Sequence, residues 1–322
     1  MYFNKNNNFF HGIMFHHFHD AGIHTKSQGS IDKDDFYKMI NFIGRNNILD
    51  ADIFFEKFKN NKLKDKEVCL TFDDALKCQI DIALPVLEEF KIKSFFYVYT
   101  SIFDGKPDNL EVFRYFRMNY FKTINEFYRE FYKILDKDVN TFFKKNNDQI
   151  KKMKIKFSVY SIEDIKFRLV RDNFLTKDQY EKQMFLMLKE KKLNYKDFYK
   201  KIFFQKNDLH KLDNLGHLIG LHSHNHPTLL EKLSYDEQKN EYEKCLSSIS
   251  SVLDKPKNEI KYMSHPCGSY NEDTLQILKE LGIELGFKQI MTIEPEKGMK
   301  KINNSFLEIA RQDHADIFKR MN

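Results

Sequence analysis

The sequence predicts an α/β fold, namely a distorted parallel barrel of the (β/α)7 type with a helical insertion. Three observations predict it. Short apolar strands alternate with helices in residues 1–107 and again in residues 212–322, and polar residues cluster where strands end. Between these segments, residues 108–211 have helical periodicity and almost no glycine or proline, so we expect an insertion of about four to six helices. That insertion would be a lid, a side wall or a partner surface.

The first barrel segment contains three predicted strands separated by helices. Each strand is a short apolar run rich in strand-forming residues, and the first strand ends in a turn with several histidines. The helices carry apolar residues at three- and four-residue intervals, and Ser30 or Asp32 could cap the first helix. The predicted strands lie within residues 12–20, 68–72 and 94–99, and the predicted helices within residues 31–42 and 76–90.

The second barrel segment resumes the same alternation. Ser234 has the pattern of a helix N-cap, and Asn271 caps a further helix that Gly282 ends. The predicted strands of this segment are residues 216–222, 260–265, 285–290 and 306–310.

Composition and charge argue against several classes of protein. The chain has 322 residues, of which 41% are hydrophobic and 31% charged, as is ordinary for a soluble globular protein. The formal charge of +6 comes mainly from dispersed lysines, without an arginine-rich or aromatic-basic block, so we expect no nucleic-acid partner. This charge is compatible with weak attraction to anionic substrates or with peripheral contact with a membrane surface.

The sequence also indicates a compartment. No apolar run is long enough to cross a bilayer, and the N-terminal residues lack the pattern of an export signal. The four cysteines show neither C-x-x-C spacing nor a disulfide framework. We therefore expect a cytoplasmic protein without a transmembrane segment, and the sequence does not predict its oligomeric state.

Two adjacent carboxylates, Asp73 and Asp74, directly follow the strand predicted at residues 68–72. Catalytic residues of α/β enzymes lie at this end of a strand. Because successive residues point in different directions, one carboxylate can bind a metal while the other transfers a proton. The alternative is an Asp-Asp pair that caps the next helix.

Two further polar clusters follow later strands. The His-x-x-x-His spacing of His222 and His226 can bring two imidazoles to one metal ion. A carboxylate from another strand would complete a facial triad that leaves positions for water and substrate. The third cluster is Pro266-Cys267-Gly268. Together with the two aspartates, the histidine pair predicts a catalytic metal site.

These motifs resemble those of the polysaccharide deacetylase family, also known as carbohydrate esterase family 4 or the nodulation-protein B homology domain. The T-F-D-D motif of the family corresponds to residues 71–74, and its H-S/T-x-x-H motif to residues 222–226. Its R-x-P-x-G motif is partly kept in residues 264–268. The resemblance covers residues 12–103 and 212–314 and gives the insertion no counterpart.

The resemblance implies a metal-dependent hydrolase that removes the N-acetyl group, or another N-acyl group, from an amino sugar. Asp74, His222 and His226 would bind the metal, usually zinc, and Asp73 would be the general base that activates water. The backbone N–H of Cys267 would help to hold the oxyanion. Because we expect a cytoplasmic protein, a precursor of a surface glycan is the more natural substrate than a finished polymer.

Two features depart from the family pattern. The arginine of the third motif, which orients the catalytic aspartate in the family, is Ser264; Arg311, at the end of the last predicted strand, could supply a guanidinium to Asp73 instead. The Leu-x-His motif that carries the general acid in the family is not recognisable. His314 is the best substitute, with Asp313 as its orienting partner.

Five other histidines are weaker candidates. One of His16, His17 and His19 could reach the substrate or serve as the acid, and the alternative is that all three are ordinary polar residues at a strand end. His265 could line the pocket, whereas we expect His224 to face away from the metal.

Two other functions stay open from the sequence. The same scaffold could hydrolyse C–N bonds of formamides, cyclic ureides or other non-sugar amides. Alternatively, the altered third motif could mark a non-catalytic carbohydrate-binding or assembly protein whose helical insertion contacts a partner.

Overall fold

The computed structural model describes residues 2–27, 29–135, 138–156, 160–291, 303 and 305–321. Residues 136, 137 and 157–159 of the predicted insertion, and residues 292–302 and 304 of the second barrel segment, lie outside this description. Among the described residues, no helix combines the length and hydrophobicity needed to cross a lipid bilayer.

Seven parallel strands form a nearly closed barrel, which confirms the predicted fold class. The strands of the described chain are β1 (His11–Phe15), β2 (Val68–Phe72), β3 (Phe95–Val98), β4 (Leu218–Leu221), β5 (Tyr262–Ser264), β6 (Leu285–Phe287) and β7 (Arg311–Asp313). Their spatial order is β6-β5-β4-β3-β2-β1-β7, so most neighbours in the sheet are also neighbours in the chain.

The last strand lies later in the chain than the sequence predicted. The strand expected at residues 306–310 is instead a connection whose Ile309 exchanges backbone hydrogen bonds with Gly286 and Lys288, beside β6. The chain then crosses to β1, where Gly12 pairs with Arg311. Residues 306–313 therefore bridge the two outer strands of the sheet, and Arg311 begins the last strand rather than following it.

The described residues contain fourteen α-helices. They are α1 (Lys33–Ile43), α2 (Ala51–Lys59), α3 (Leu84–Phe90), α4 (Asn109–Asn119), α5 (Ile124–Lys133), α6 (Val139–Lys145), α7 (Asn147–Lys156), α8 (Ile162–Leu169), α9 (Lys177–Glu190), α10 (Tyr199–Ile202), α11 (Lys206–Asn214), α12 (Tyr235–Leu253), α13 (Glu272–Glu280) and α14 (His314–Met321). Capping boxes at Asp32, Ser234 and Asn271 begin α1, α12 and α13, because each side chain accepts a hydrogen bond from an otherwise unpaired backbone N–H.

The described chain divides into two compact units. One comprises Met1–Asp20, Ile31–Asp108 and Phe203–Asn322 and contains the barrel. The other comprises Ala21–Ser30 and Asn109–Ile202 and contains the helices α4–α10. The role of the second unit as a lid or side wall stays a prediction.

Aromatic side chains fill one end of the barrel interior. Although β4 and β5 separate β3 from β6 in the sheet, the ring centroid of Phe287 lies 5.5 Å from that of Phe95 and 5.9 Å from that of Tyr97. These contacts therefore cross the interior. Phe54 of α2 packs on Phe95 and Phe287 and covers the end at which β3 begins. Polar side chains occupy the opposite end of the interior, where the strands end.

Candidate active site

Side-chain alternation decides which polar residues enter the barrel. A Cβ atom on Gly12 would lie 2.9 Å from the side chains of Arg311 and Phe287, so this face of β1 points inward. His16, four residues later, emerges on the same side because side chains alternate along a strand. Thr71 of β2 and Asp73, which directly follows β2, both accept hydrogen bonds from Arg311. The fold thus gathers these groups at the carboxyl edge of the barrel.

Asp74, His222 and His226 form a compact cluster that could hold a metal ion. The Nε2 atoms of both histidines lie 3.3 Å from Oδ1 of Asp74. One ligand atom from each of the three residues lies within 4.8 Å of the others. Oδ1 of Asp74 is buried and has no hydrogen-bond partner among the described residues. A buried acceptor without a donor is costly, and a cation would satisfy it.

The other ring nitrogen of each histidine already faces an acceptor. Nδ1 of His222 donates to the carbonyl oxygen of Ser264 at 2.9 Å, and Nδ1 of His226 to Oδ2 of Asp108 at 3.4 Å. With the proton on Nδ1, each Nε2 presents a lone pair toward Asp74. Two imidazole nitrogens and a carboxylate oxygen then converge without a proton between them. This donor set fits zinc and other divalent transition metals.

The electrostatics of Asp74 agree with a ligand role. Burial by itself raises the pKa of its carboxyl. Protonated rings of His226 and His222, which would supply the positive charge that the neutral rings lack, lower it more strongly, so the net pKa lies well below the ordinary value. The group is therefore an ionised carboxylate at neutral pH, as a metal ligand must be.

Asp73 occupies a different environment from its neighbour. Its Oδ1 accepts hydrogen bonds from Nη1 of Arg311 at 2.8 Å and from Oγ of Ser264 at 3.2 Å. Its Oδ2 lies 3.9 Å from Nε2 of His16. Burial raises the pKa of this carboxyl, but Arg311, followed by the histidines, outweighs burial and holds the net pKa below its ordinary value. Asp73 is thus ionised, with Oδ1 occupied by donors.

Arg311 is held rigidly beside Asp73. The residue is only 1% exposed, and its Nε donates to the carbonyl oxygen of Lys288 at 2.9 Å. Arg311 is the partner that the sequence suggested for Asp73, although it arrives from the start of β7. Ser264, which stands at the arginine position of the third motif, contacts Asp73 through a hydroxyl. The catalytic role of Arg311 stays a prediction.

His16, and not His314, lies beside the two aspartates. Nε2 of His16 is 3.9 Å from Oδ2 of both Asp73 and Asp74. His314 is buried, stacks on Phe15 with ring centroids 5.4 Å apart, and places Nδ1 3.2 Å from the carbonyl oxygen of Met14. Since Phe15 packs against Phe36 of α1, His314 lies on the outer face of the strands. Nδ1 of His314 also lies 3.4 Å from Oδ1 of Asp313, the predicted orienting partner. The position of His314 argues against its role as the acid that protonates the leaving group, and that role stays a prediction.

The remaining sequence candidates have other contacts. His224 lies 2.9 Å from Oγ1 of Thr100 through Nδ1, away from the cluster, and His265 stacks on Tyr270 with Nε2 2.8 Å from the carbonyl oxygen of Leu307. The side chain of Cys267 is exposed, and its backbone is left-handed with a φ of 52°. The oxyanion role of its N–H stays a prediction.

Both ligand-bearing loops contain left-handed backbone. The φ angle is 73° at Asp74, 62° at Ser223 and 54° at His226. Such angles cost free energy for residues other than glycine and persist where surrounding contacts enforce them. Glu241 of α12 supplies such contacts, because its carboxylate accepts hydrogen bonds from the backbone N–H groups of His224 and Asn225 at 3.1 and 2.7 Å.

Several solved structures share this fold. The Streptococcus pyogenes deacetylase PplD, solved with acetate, has 17% sequence identity and a TM-score of 0.53, and the match covers 95% of this chain and 92% of that one. IcaB from Ammonifex degensii has 12% identity and a TM-score of 0.53, with 94% and 91% covered. The de-N-acetylase from Aggregatibacter actinomycetemcomitans has 12% identity and a TM-score of 0.52, with 94% and 93% covered. At these identities the likeness concerns the fold alone.

The family assignment comes from the sequence match. No curated protein matches the chain. The family model described as polysaccharide deacetylase matches residues 60–156 and 120–286, which together span more than half of the chain. The matched residues include Asp73 and all three residues of the cluster. The chain belongs to the polysaccharide deacetylase family.

Proposed function

We propose that this protein is a metal-dependent N-deacetylase that hydrolyses the N-acetyl group of an amino sugar in a surface-glycan precursor. Family membership supports a carbohydrate deacetylase. The observation that carries the metal dependence is the buried Oδ1 of Asp74, which faces two imidazole nitrogens at 3.3 Å and has no donor among the described residues. The precursor substrate and the cytoplasmic location stay predictions, which cell fractionation and a substrate panel test.

Asp74, His222 and His226 would hold the cation, and zinc suits their donor atoms. When bound, the cation would polarise the amide carbonyl and lower the pKa of water, the two contributions that a metal makes to hydrolysis. The outer contacts to Ser264 and Asp108 orient the imidazoles for this role.

Asp73 is the general base of the proposed reaction. Because donors from Arg311 and Ser264 occupy its Oδ1, Oδ2 is the atom that accepts the proton of the attacking water. The oxygen of that water then bonds to the carbonyl carbon. The low pKa of Asp73 keeps the base ionised before this step.

His16 completes the reaction as the general acid. The C–N bond breaks efficiently only when the departing nitrogen gains a proton, since an unprotonated amide nitrogen leaves poorly. Nε2 of His16 lies 3.9 Å from Oδ2 of both aspartates, beside the base and the cluster, so we assign to it the proton that the leaving amine needs. Proton transfer from this atom releases the free amine and acetate.

The alternative of a non-catalytic binding protein rested on the altered third motif. The contact between Arg311 and Asp73 weakens that alternative, because the guanidinium that the motif lacks reaches the carboxylate from β7. Among the residues that the structure describes, no contact in the site favours formamides or ureides over N-acetyl sugars, so these substrates belong in the test.

The direct test measures acetate release from N-acetylated oligosaccharides and nucleotide-linked sugars, with N-formyl sugars and cyclic ureides as competing substrates. Removal of metal by a chelator should abolish release, and added Zn²⁺ or Co²⁺ should restore it. Asp74→Ala should lose metal and at least about a thousandfold of turnover, since metal electrostatics contribute several kcal/mol. Full turnover by metal-free protein or by Asp74→Ala would contradict the proposal.

A further inference from the structure

Two aspartates that follow β3 each face a histidine of the loop after β4. Oδ2 of Asp104 lies 3.6 Å from Nε2 of His224, and Oδ2 of Asp108 lies 3.4 Å from Nδ1 of His226. The pairs are similar in residue type, distance and place in the fold. They differ in that only His226 belongs to the cluster with Asp74, and in exposure, since the side chain of Asp104 is 58% exposed and that of Asp108 is 11% exposed.

We propose that Asp108 is a positioning residue that sets the affinity of the metal site through His226. This inference rests on the proposed function, because it requires that the cluster binds metal. The carboxylate accepts the Nδ1 proton and thereby fixes the tautomer in which Nε2 carries a lone pair. It also holds the plane of the ring and increases the basicity of the ligating nitrogen.

His226 depends on such a contact more than His222 does. His222 immediately follows β4, and its Nδ1 donates to the backbone carbonyl of Ser264, a residue fixed in the neighbouring strand β5. His226 lies four residues further along the loop, in a left-handed conformation. Glu241 holds the backbone before it, and the ring of Tyr99 lies 5.4 Å from its imidazole, but neither contact reaches Nδ1. Asp108 supplies that contact.

Asp108 acts from outside the ligand set. Its carboxylate faces Nδ1, whereas the lone pair of Nε2 is directed at Asp74 on the other side of the imidazole. Both nitrogens of one ring cannot point at the same ion, so Asp108 is not a further ligand. Its side chain is 11% exposed, and a contact shielded from water is stronger than one in solvent.

The experiment measures metal affinity rather than turnover. Metal-free wild type, Asp108→Ala, Asp108→Asn, Asp104→Ala and Asp74→Ala are titrated with Zn²⁺ against a chromophoric chelator, and the visible spectrum of the Co²⁺ forms is recorded. Asp108→Ala should weaken Zn²⁺ binding by about 10- to 100-fold, as loss of an outer-shell partner does. Asp108→Asn keeps an acceptor oxygen and should fall between wild type and Asp108→Ala. The matched control Asp104→Ala should stay within about twofold of wild type, because His224 is not a ligand.

Circular dichroism and thermal unfolding of the metal-free proteins check folding, and Asp108→Asn carries the test if Asp108→Ala does not fold. This inference would be overturned, and the proposed function left intact, if the Asp108 variants bound Zn²⁺ within twofold of wild type while Asp74→Ala did not bind it. Equal losses in Asp104→Ala and Asp108→Ala would overturn it as well. Wild type that binds neither Zn²⁺ nor Co²⁺ would refute the metal dependence, and this inference with it.

Discussion

The neighbouring carboxylates Asp73 and Asp74 have opposite surroundings, and we call these surroundings the first and the second half of the site. Asp73 meets donors: a guanidinium at 2.8 Å and a hydroxyl at 3.2 Å. Asp74 meets acceptors, since two imidazole nitrogens whose protons lie on the far side of the ring approach its Oδ1. In the first half, protein donors supply the hydrogen bonds that the carboxylate needs, whereas in the second half no positive charge among the described residues balances the carboxylate. Hydrogen-bond satisfaction thus separates a base from a metal ligand where residue type does not.

The largest effect expected within the first half comes from Asp73→Asn. The substitution removes the proton acceptor and keeps the size of the side chain, so turnover should fall by about 10²- to 10⁴-fold while metal affinity stays within a few fold of wild type. Metal titration and acetate release on the same preparation check this result. If Asp73→Asn also lost its metal, the division of the site into two halves would be wrong.

A smaller loss should follow His16→Gln, because the metal and the base remain. Turnover should fall by about 10²-fold, the low end of the range for loss of a proton donor. His17→Gln is the matched control, since His17 is the next residue and its ring stacks on that of His16, with ring centroids 6.2 Å apart. The opposite result, in which His16→Gln keeps its turnover and a folded His314→Gln variant loses it, would show that His314 is the general acid, as the sequence suggested.

The smallest effect should be a shift in the pH profile of Arg311→Lys. Lysine keeps a positive charge but cannot reproduce the fixed contacts with Asp73 and the Lys288 carbonyl. Arg311 lowers the pKa of Asp73, so weakening the contact raises that pKa. The base is active when ionised, and therefore the acidic limb of the kcat/KM profile should move upward by about one pH unit. An unchanged limb would mean that Arg311 does not control the base.

The strands could be predicted from the sequence because they are buried apolar runs. β2 occupies the predicted residues 68–72. β7 was misplaced for a physical reason. Residues 306–310 are more apolar than Arg311–Asp313, but pairing with β1 decides the strand, and its first residue, Arg311, contacts Asp73 in the site. Helix α2 was missed although Phe54, Phe55 and Phe58 have helical spacing, a signal that could have revealed it.

The site was predictable to the extent that motifs mark it. The cluster of Asp74, His222 and His226 comes from two local patterns that the fold brings together. His16 could not be separated from His17 and His19, because the inward phase of β1 depends on its neighbours in the barrel. Asp108 has no sequence signal, since its partner lies 118 residues away. Outer-shell contacts of this kind require the tertiary structure.

Arg311 also has a consequence for biosynthesis. The ligands of the cluster and both aspartates precede it in the chain, and β7, which carries it, pairs with β1 from the opposite end of the sequence. The guanidinium can therefore reach Asp73 only after the ribosome has synthesised and released the chain through β7. We expect nascent or C-terminally truncated chains to be able to collect a cation well before they can hydrolyse an amide.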